Sequence, residues 1–191
     1  MKAILSFLVL LLPVHAGLAT DITYLPSPGK VAFIGNSLTM FNCGSDTVVK
    51  KLGDALPVPI KLTLDQHVQT GGFTLKDHWT VANRNAISNA HVNMVVMQEG
   101  GDWTYSNDPA NAAQFYQYGT LWADLIRKSG ATPALYMMWA WREDVGDAMK
   151  ARTDHHAELY DTMSRKIRAK VIPIGRGYYK LRNDPSPIAQ S

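Results

Sequence analysis

"VAFIGNSLTM", Val31–Met40, decides how this chain is read. Val31, Ala32, Phe33 and Ile34 form an unbroken apolar run that stops at Gly35-Asn36-Ser37, after which the sequence turns helix-like. An apolar run without polar alternation fits a strand buried on both faces, as in a parallel sheet. A serine at the tip of such a strand is either a nucleophile or the cap of the next helix.

The same pattern recurs along the chain. Strands are expected at Lys30–Gly35, Ile60–Asp65, Val92–Gln98, Thr132–Trp139 and Ala169–Gly175. Helices are expected between them at Ser45–Leu56, Thr74–Asn89, Pro109–Lys128 and Ala148–Arg168. Ser45 or Asp46 suits a helix cap, and Lys128 followed by Gly130 is a helix stop. Leu159, Met163 and Ile167 repeat at a spacing of four and should face the sheet, with His155 and His156 one turn earlier. Strands alternating with helices imply right-handed crossovers and a three-layer α/β/α sandwich.

The chain has 191 residues, 46% hydrophobic and 18% charged, which suits one folded domain rather than a disordered segment. Its net charge of +3 is scattered, with no basic block interleaved with aromatics, so nucleic acid is not an expected partner. Lys2, the apolar run Ala3–Leu12 and small residues ending at Ala16 or Ala19 read as a secretory signal peptide, the alternative being an uncleaved membrane anchor. The run is too short to span a membrane. The expected division is a signal peptide over residues 1–19 and one domain over 20–191, secreted or periplasmic and without stable membrane insertion after cleavage. Cys43 is the sole cysteine, so no internal disulfide forms and stability must come from the core.

In open parallel sheets ligands gather at the carboxyl ends of the strands. Those ends carry Gly35-Asn36-Ser37, then "QTGGFTL" with Gly71 and Gly72, then "MQEGGDW" with Gln98 and Glu99. With the first strand between the second and third, a serine, a glycine turn and a carboxamide share one crevice. That set matches acyl transfer. Ser37 offers a hydroxyl and its own N–H, Gly72 offers an N–H with no Cβ in the way, and the Gln98 amide is a third donor for an oxyanion. Asn36, Gly71, Glu99 and Trp103 are expected to line the substrate side. Trp103, Tyr105, Trp139 and Trp141 follow the third and fourth strands and either stack on a substrate or pack the loops. No metal or cofactor is required: "DHHAE" lacks the His-x-x-x-His spacing that aligns two imidazoles. His67 and His78 flank the glycine turn, and His156 reads as a histidine at the core margin.

"GNSLT" resembles the first motif block of the SGNH/GDSL hydrolases, a superfamily of flavodoxin-like esterases and lipases. The resemblance implies a parallel five-stranded sheet in the order 2-1-3-4-5. It also implies that Ser37 is the nucleophile, and Gly72, or else Gly71, an oxyanion donor. The third block normally supplies an asparagine, where this chain has Gln98 in "VVMQEGGDW". Expected substrates are carbohydrate esters, acetylated glycans or short acyl esters. The family's Asp-x-x-His block is not found: Asp184 is followed by Pro185, Ser186 and Pro187, and no histidine occurs after His156. The acid–base loop and last helix are therefore expected beyond Ser191. The rival from another class is a glycan- or acyl-binding module with the same crevice and no base. A nucleotide-binding domain would need a Gly-x-Gly-x-x-Gly or phosphate-loop signature that is absent.

Overall fold

The computed structural model describes residues 29–40, 47, 50, 51, 54, 62–100, 104 and 108–183. The proposed signal peptide, Cys43, Trp103, Tyr105 and most of the helix expected over Ser45–Leu56 lie outside them. The elements run β1 (Gly29–Gly35), α1 (Ser37–Met40), β2 (Leu62–Gln69), α2 (Val81–Ser88), β3 (Met94–Met97), α3 (Pro109–Lys128), β4 (Thr132–Tyr136), α4 (Gly146–Ile167), β5 (Lys170–Ile172) and α5 (Ile174–Arg182). All strand pairs are parallel, in the order β2-β1-β3-β4-β5. The expected three-layer α/β sandwich is the observed fold.

The apolar run of β1 is buried for the reason its sequence suggests. Successive side chains point to opposite faces. Ala32 and Ile34 join Val95, Met97 and Leu135 in one core cluster, while Val31 and Phe33 join Val96, Ala134 and Tyr136 in another. The first cluster is closed by α3 and α4 through Trp122, Ile126, Leu159, Met163 and Ile167. The spacing-of-four stripe on α4 thus faces the sheet as expected. Burying such large side chains contributes roughly 1.5–3 kcal/mol each. A Cβ on Gly119 would meet the terminal methyl of Met163, which packs from α4 onto α3 at this point.

Local chemistry sets the ends of these elements. Asp108 caps α3 through its Oδ1, which accepts the Ala110 N–H at 2.9 Å, and Pro109 opens the first turn. The helix expected from Thr74 starts later, at Val81. Thr74 donates its N–H and O–H to Asp77 Oδ2 at 2.9 and 2.8 Å, and Thr80 supplies the true cap by accepting the Asn83 N–H. These side-chain bonds satisfy the backbone in a turn and outcompete the helix.

The end of the sheet corrects two expectations. The strand expected over Ala169–Gly175 is only Lys170–Ile172, because Pro173 has no N–H to continue the ladder. A further helix, α5, follows it, although the sequence reading left no helix after the fifth strand. Gly175 allows this helix to seat against the segment that follows β4: a Cβ there would collide with the Met138 carbonyl. Arg182 fastens the far end by donating to the carbonyls of Trp141, Arg142 and Asp144 at 3.3, 3.0 and 3.2 Å.

Candidate active site

β1 occupies the sheet between β2 and β3, so its carboxyl end is flanked by the turns that follow both neighbours. Ser37 is the first residue of α1, and its side chain is exposed. The residue before it is the opposite. Asn36 is 2% exposed, and its polar groups are committed. Its Oδ1 accepts the Leu38 N–H at 3.1 Å and its carbonyl accepts from Thr39 N and Thr39 Oγ1, both at 3.0 Å. Asn36 therefore caps the helix that Ser37 opens, a task often left to serine itself.

Two further bonds from Asn36 reach the neighbouring strand ends. Its N–H donates to Gln98 Oε1 at 3.2 Å, and its Nδ2 donates to the Phe73 carbonyl at 2.9 Å. The Gly35 carbonyl accepts the Thr70 N–H at 3.3 Å and His78 Nε2–H at 2.7 Å. Gln69 Nε2 donates to Thr39 Oγ1 at 3.2 Å. The three loop tips are thus stitched together around the peptide preceding Ser37. Gly35 must lack a side chain here, since a Cβ would stand 2.5 Å from Thr39 Oγ1 and 2.9 Å from Gln98 Oε1.

The glycine turn closes with the Phe73 N–H donating to the Thr70 carbonyl at 3.2 Å. Gly71 and Gly72 are exposed, and Gly72 has φ +74°, a conformation glycine adopts without a Cβ penalty. Open space surrounds both positions, so conformation rather than crowding selects glycine at 72.

Gln98 departs from its expected role. Its side chain is fully buried. Its Oε1 faces the Asn36 N–H, which fixes the orientation of the amide, and its Nε2 donates to the Glu99 carbonyl at 2.5 Å and to Met138 Sδ at 3.3 Å. Both amide hydrogens are therefore spent inside the protein. Asn36 and Glu99, expected on the substrate side, are likewise interior, at 2% exposure each. Glu99 Oε1 accepts the N–H groups of Gly100 at 2.9 Å and Leu75 at 3.3 Å. Burial pushes the Glu99 carboxyl up to about 7, against the opposing pull of those two N–H groups.

Among the described residues, neither buried histidine is hydrogen-bonded to Ser37. His78 donates Nε2–H to Gly35, so its Nδ1 is the unprotonated nitrogen, and burial lowers its pKa. His156 is fully buried against the backbone of Met138 and Thr104, and burial with His155 and Arg152 nearby brings it down to about 4. Both are neutral at physiological pH. Trp139 packs against Tyr136 and Tyr178 at ring-centroid distances of 6.3 and 6.4 Å, which is loop and core-edge packing. The sequence reading missed the positioning roles of Thr39, His78 and Met138. Only His78, close to the glycine turn, carried a signal, and nothing in its spacing named the Gly35 carbonyl as its partner.

No family profile matches the chain, and no curated protein matches it. Solved structures do. The acetyl xylan esterase AlAXEase superposes with TM-score 0.62 at 15% identity, over 82% of this chain and 83% of that one. A variant of Axe2, an acetyl-xylooligosaccharide esterase from a Geobacillus, gives TM-score 0.61 at 12% identity, over 84% and 83% of the two chains. AlinE4, an SGNH-hydrolase family esterase, gives 0.54 at 14% identity, over 84% and 82%. With its all-parallel sheet in the order 2-1-3-4-5 and these likenesses, the chain has the SGNH-hydrolase fold.

Proposed function

We propose that this chain is an exported serine esterase of the SGNH type, acting on acetylated carbohydrates or short acyl esters. The observation that carries the reading is the contrast between two adjacent residues. Asn36 is buried and bonded to the two neighbouring loop tips, while Ser37 beside it is exposed just beyond the end of β1. An exposed hydroxyl on a rigidly held peptide is what a nucleophile needs.

In the proposed reaction Ser37 Oγ attacks the ester carbonyl as a base takes its proton. The N–H groups of Ser37 and Gly72 hold the tetrahedral oxyanion. The alcohol leaves with a proton, and an acyl ester on Ser37 remains. Water, activated by the same base, then releases the carboxylic acid and restores the hydroxyl. In place of the side-chain donor expected from Gln98, the reading gives that residue the task of holding Asn36. The reading assigns no residue of this chain as the base: residues 157–191 contain no histidine. Two of the similar structures carry names of acetylated-xylan esterases, which supports an acetylated glycan as substrate.

The buried state of His78 and His156 favours one other reading, a glycan- or acyl-binding module on the same fold. Hydrolysis of p-nitrophenyl acetate by the wild-type protein and its loss in Ser37→Ala separates the two. Hydrolysis that persists unchanged in Ser37→Ala removes Ser37 as nucleophile, and binding of acetylated oligosaccharide without turnover supports the module.

A further inference from the structure

We propose that Glu99 is a positioning residue that locks the turn carrying Gly72 onto the end of β3 and so sets where the Gly72 N–H stands relative to Ser37. The inference rests on the esterase reading above and gives a purpose to a carboxylate that the reaction does not touch.

The geometry converges on one oxygen. Glu99 Oε1 accepts two backbone N–H groups from different segments, Leu75 in the glycine-turn segment and Gly100 in the loop after β3. The turn is gripped on both sides of Thr74. Asn36 holds the Phe73 carbonyl, and Glu99 holds the Leu75 N–H. Trp122 of α3 adds a third tie by donating Nε1–H to the Leu75 carbonyl at 2.9 Å. Leu75 and Thr74 are fully buried, whereas Gly71, Gly72 and Phe73 are exposed. The segment therefore has an anchored base and a free tip. Tip position follows from how firmly the base is held.

An anionic oxygen suits this task because charge-assisted hydrogen bonds are about twice as strong as neutral ones. Burying the charge is costly, and Glu99 Oε2 has no hydrogen-bond partner among the described residues. A carboxylate kept under those conditions is better explained by the two N–H groups it holds than by packing. Of the charged neighbours, Asp77 on the turn segment reaches it and opposes its ionisation. His78 on the same segment is held neutral by burial. Asn36, Gln98, Trp122 and Met138, which surround the same network, carry no charge. Ionisation of Glu99 thus falls near neutrality, and the grip should tighten as pH rises through that point.

The test reads the clamp directly and its consequence separately. In the wild-type protein, the backbone amide resonances of Leu75 and Gly100 should titrate together with one midpoint near neutrality, and both should stay flat in Glu99→Gln. On p-nitrophenyl acetate, Glu99→Leu should lower kcat by about tenfold with KM changed less than about twofold, and Glu99→Gln, which keeps an acceptor oxygen, should restore most of kcat. Independent titration of the two amides, or no titration, overturns the clamp even if Glu99→Leu fails to fold. A folded Glu99→Leu with wild-type kcat overturns the positioning role. Joint titration in a wild-type protein that hydrolyses no ester upholds the clamp and overturns the esterase reading instead.

Discussion

The side-chain amide of Asn36 donates to the Phe73 carbonyl at 2.9 Å, which ties the glycine turn after β2 to the residue immediately before Ser37. The segments that carry the proposed nucleophile and the proposed oxyanion donor are thereby held by one side chain, whose bond joins residues 37 positions apart.

Asn36→Leu keeps the volume and removes the bonds. It strands the Phe73 carbonyl and the Leu38 N–H, which should destabilise the fold by about 1–3 kcal/mol. Release of the turn should also lower kcat by up to about 100-fold, since displacements of about 1 Å at a reacting centre cost that much. Thermal denaturation and steady-state kinetics on p-nitrophenyl acetate measure the two effects. A variant of normal stability and normal kcat would show that the turn is held elsewhere.

The glycines should separate by mechanism. Gly35→Ala forces a Cβ against Thr39 Oγ1 and Gln98 Oε1 and should cost about 1–3 kcal/mol. Gly72→Ala meets no atoms but must adopt φ +74°, a strain of about 1–2 kcal/mol. Gly71→Ala meets neither problem and should lie within about 0.5 kcal/mol of wild type. Denaturant midpoints for the three variants check the order.

Two buried groups oppose each other in their effect of pH on stability. Glu99 has its pKa raised on folding from 4.5 to about 7, so the native state holds the extra proton between those values and stability falls as pH rises through them. His156 has its pKa lowered from 6.5 to about 4, so its contribution is present above 6.5 and is lost as pH falls toward 4. Lowering of the His78 pKa acts in the same direction as His156. Wild type should therefore show a flattened profile. Glu99→Gln should gain on wild type by about 3 kcal/mol as pH goes from 4.5 to 7, leaving a profile that rises with pH. Unfolding free energies at pH 5 and pH 8 for both proteins make the comparison, and a constant difference would place the Glu99 carboxyl in a solvated site.

The fold was legible because its strands are buried on both faces. Val31–Ile34 and Val95–Met97 announce themselves as apolar runs, and α3 starts and stops on local signals, Asp108, Pro109 and Lys128, that no tertiary contact overrides. The α2 start and the helix after β5 were less legible. The first depends on Thr74 and Asp77 choosing each other over a helix, and the second on Gly175 fitting against the Met138 carbonyl. In the site, the sequence located the three strand ends but not the direction of each side chain. Gln98 has donors and an acceptor, and only its folded neighbours, the Asn36 N–H and the Glu99 carbonyl, determine that the donors turn inward. Exposure separates Ser37 from Asn36, and exposure belongs to the packed structure.

The central claim is that Ser37 is an activated nucleophile, and covalent capture tests it most directly. The wild-type protein is incubated with a fluorophosphonate, and the adduct is mapped by intact-mass and peptide mass spectrometry. The account predicts a single phosphonyl adduct, located on Ser37 and absent from Ser37→Ala. An adduct on another residue, or an unmodified Ser37 in a protein that is hydrolysing ester, would contradict it.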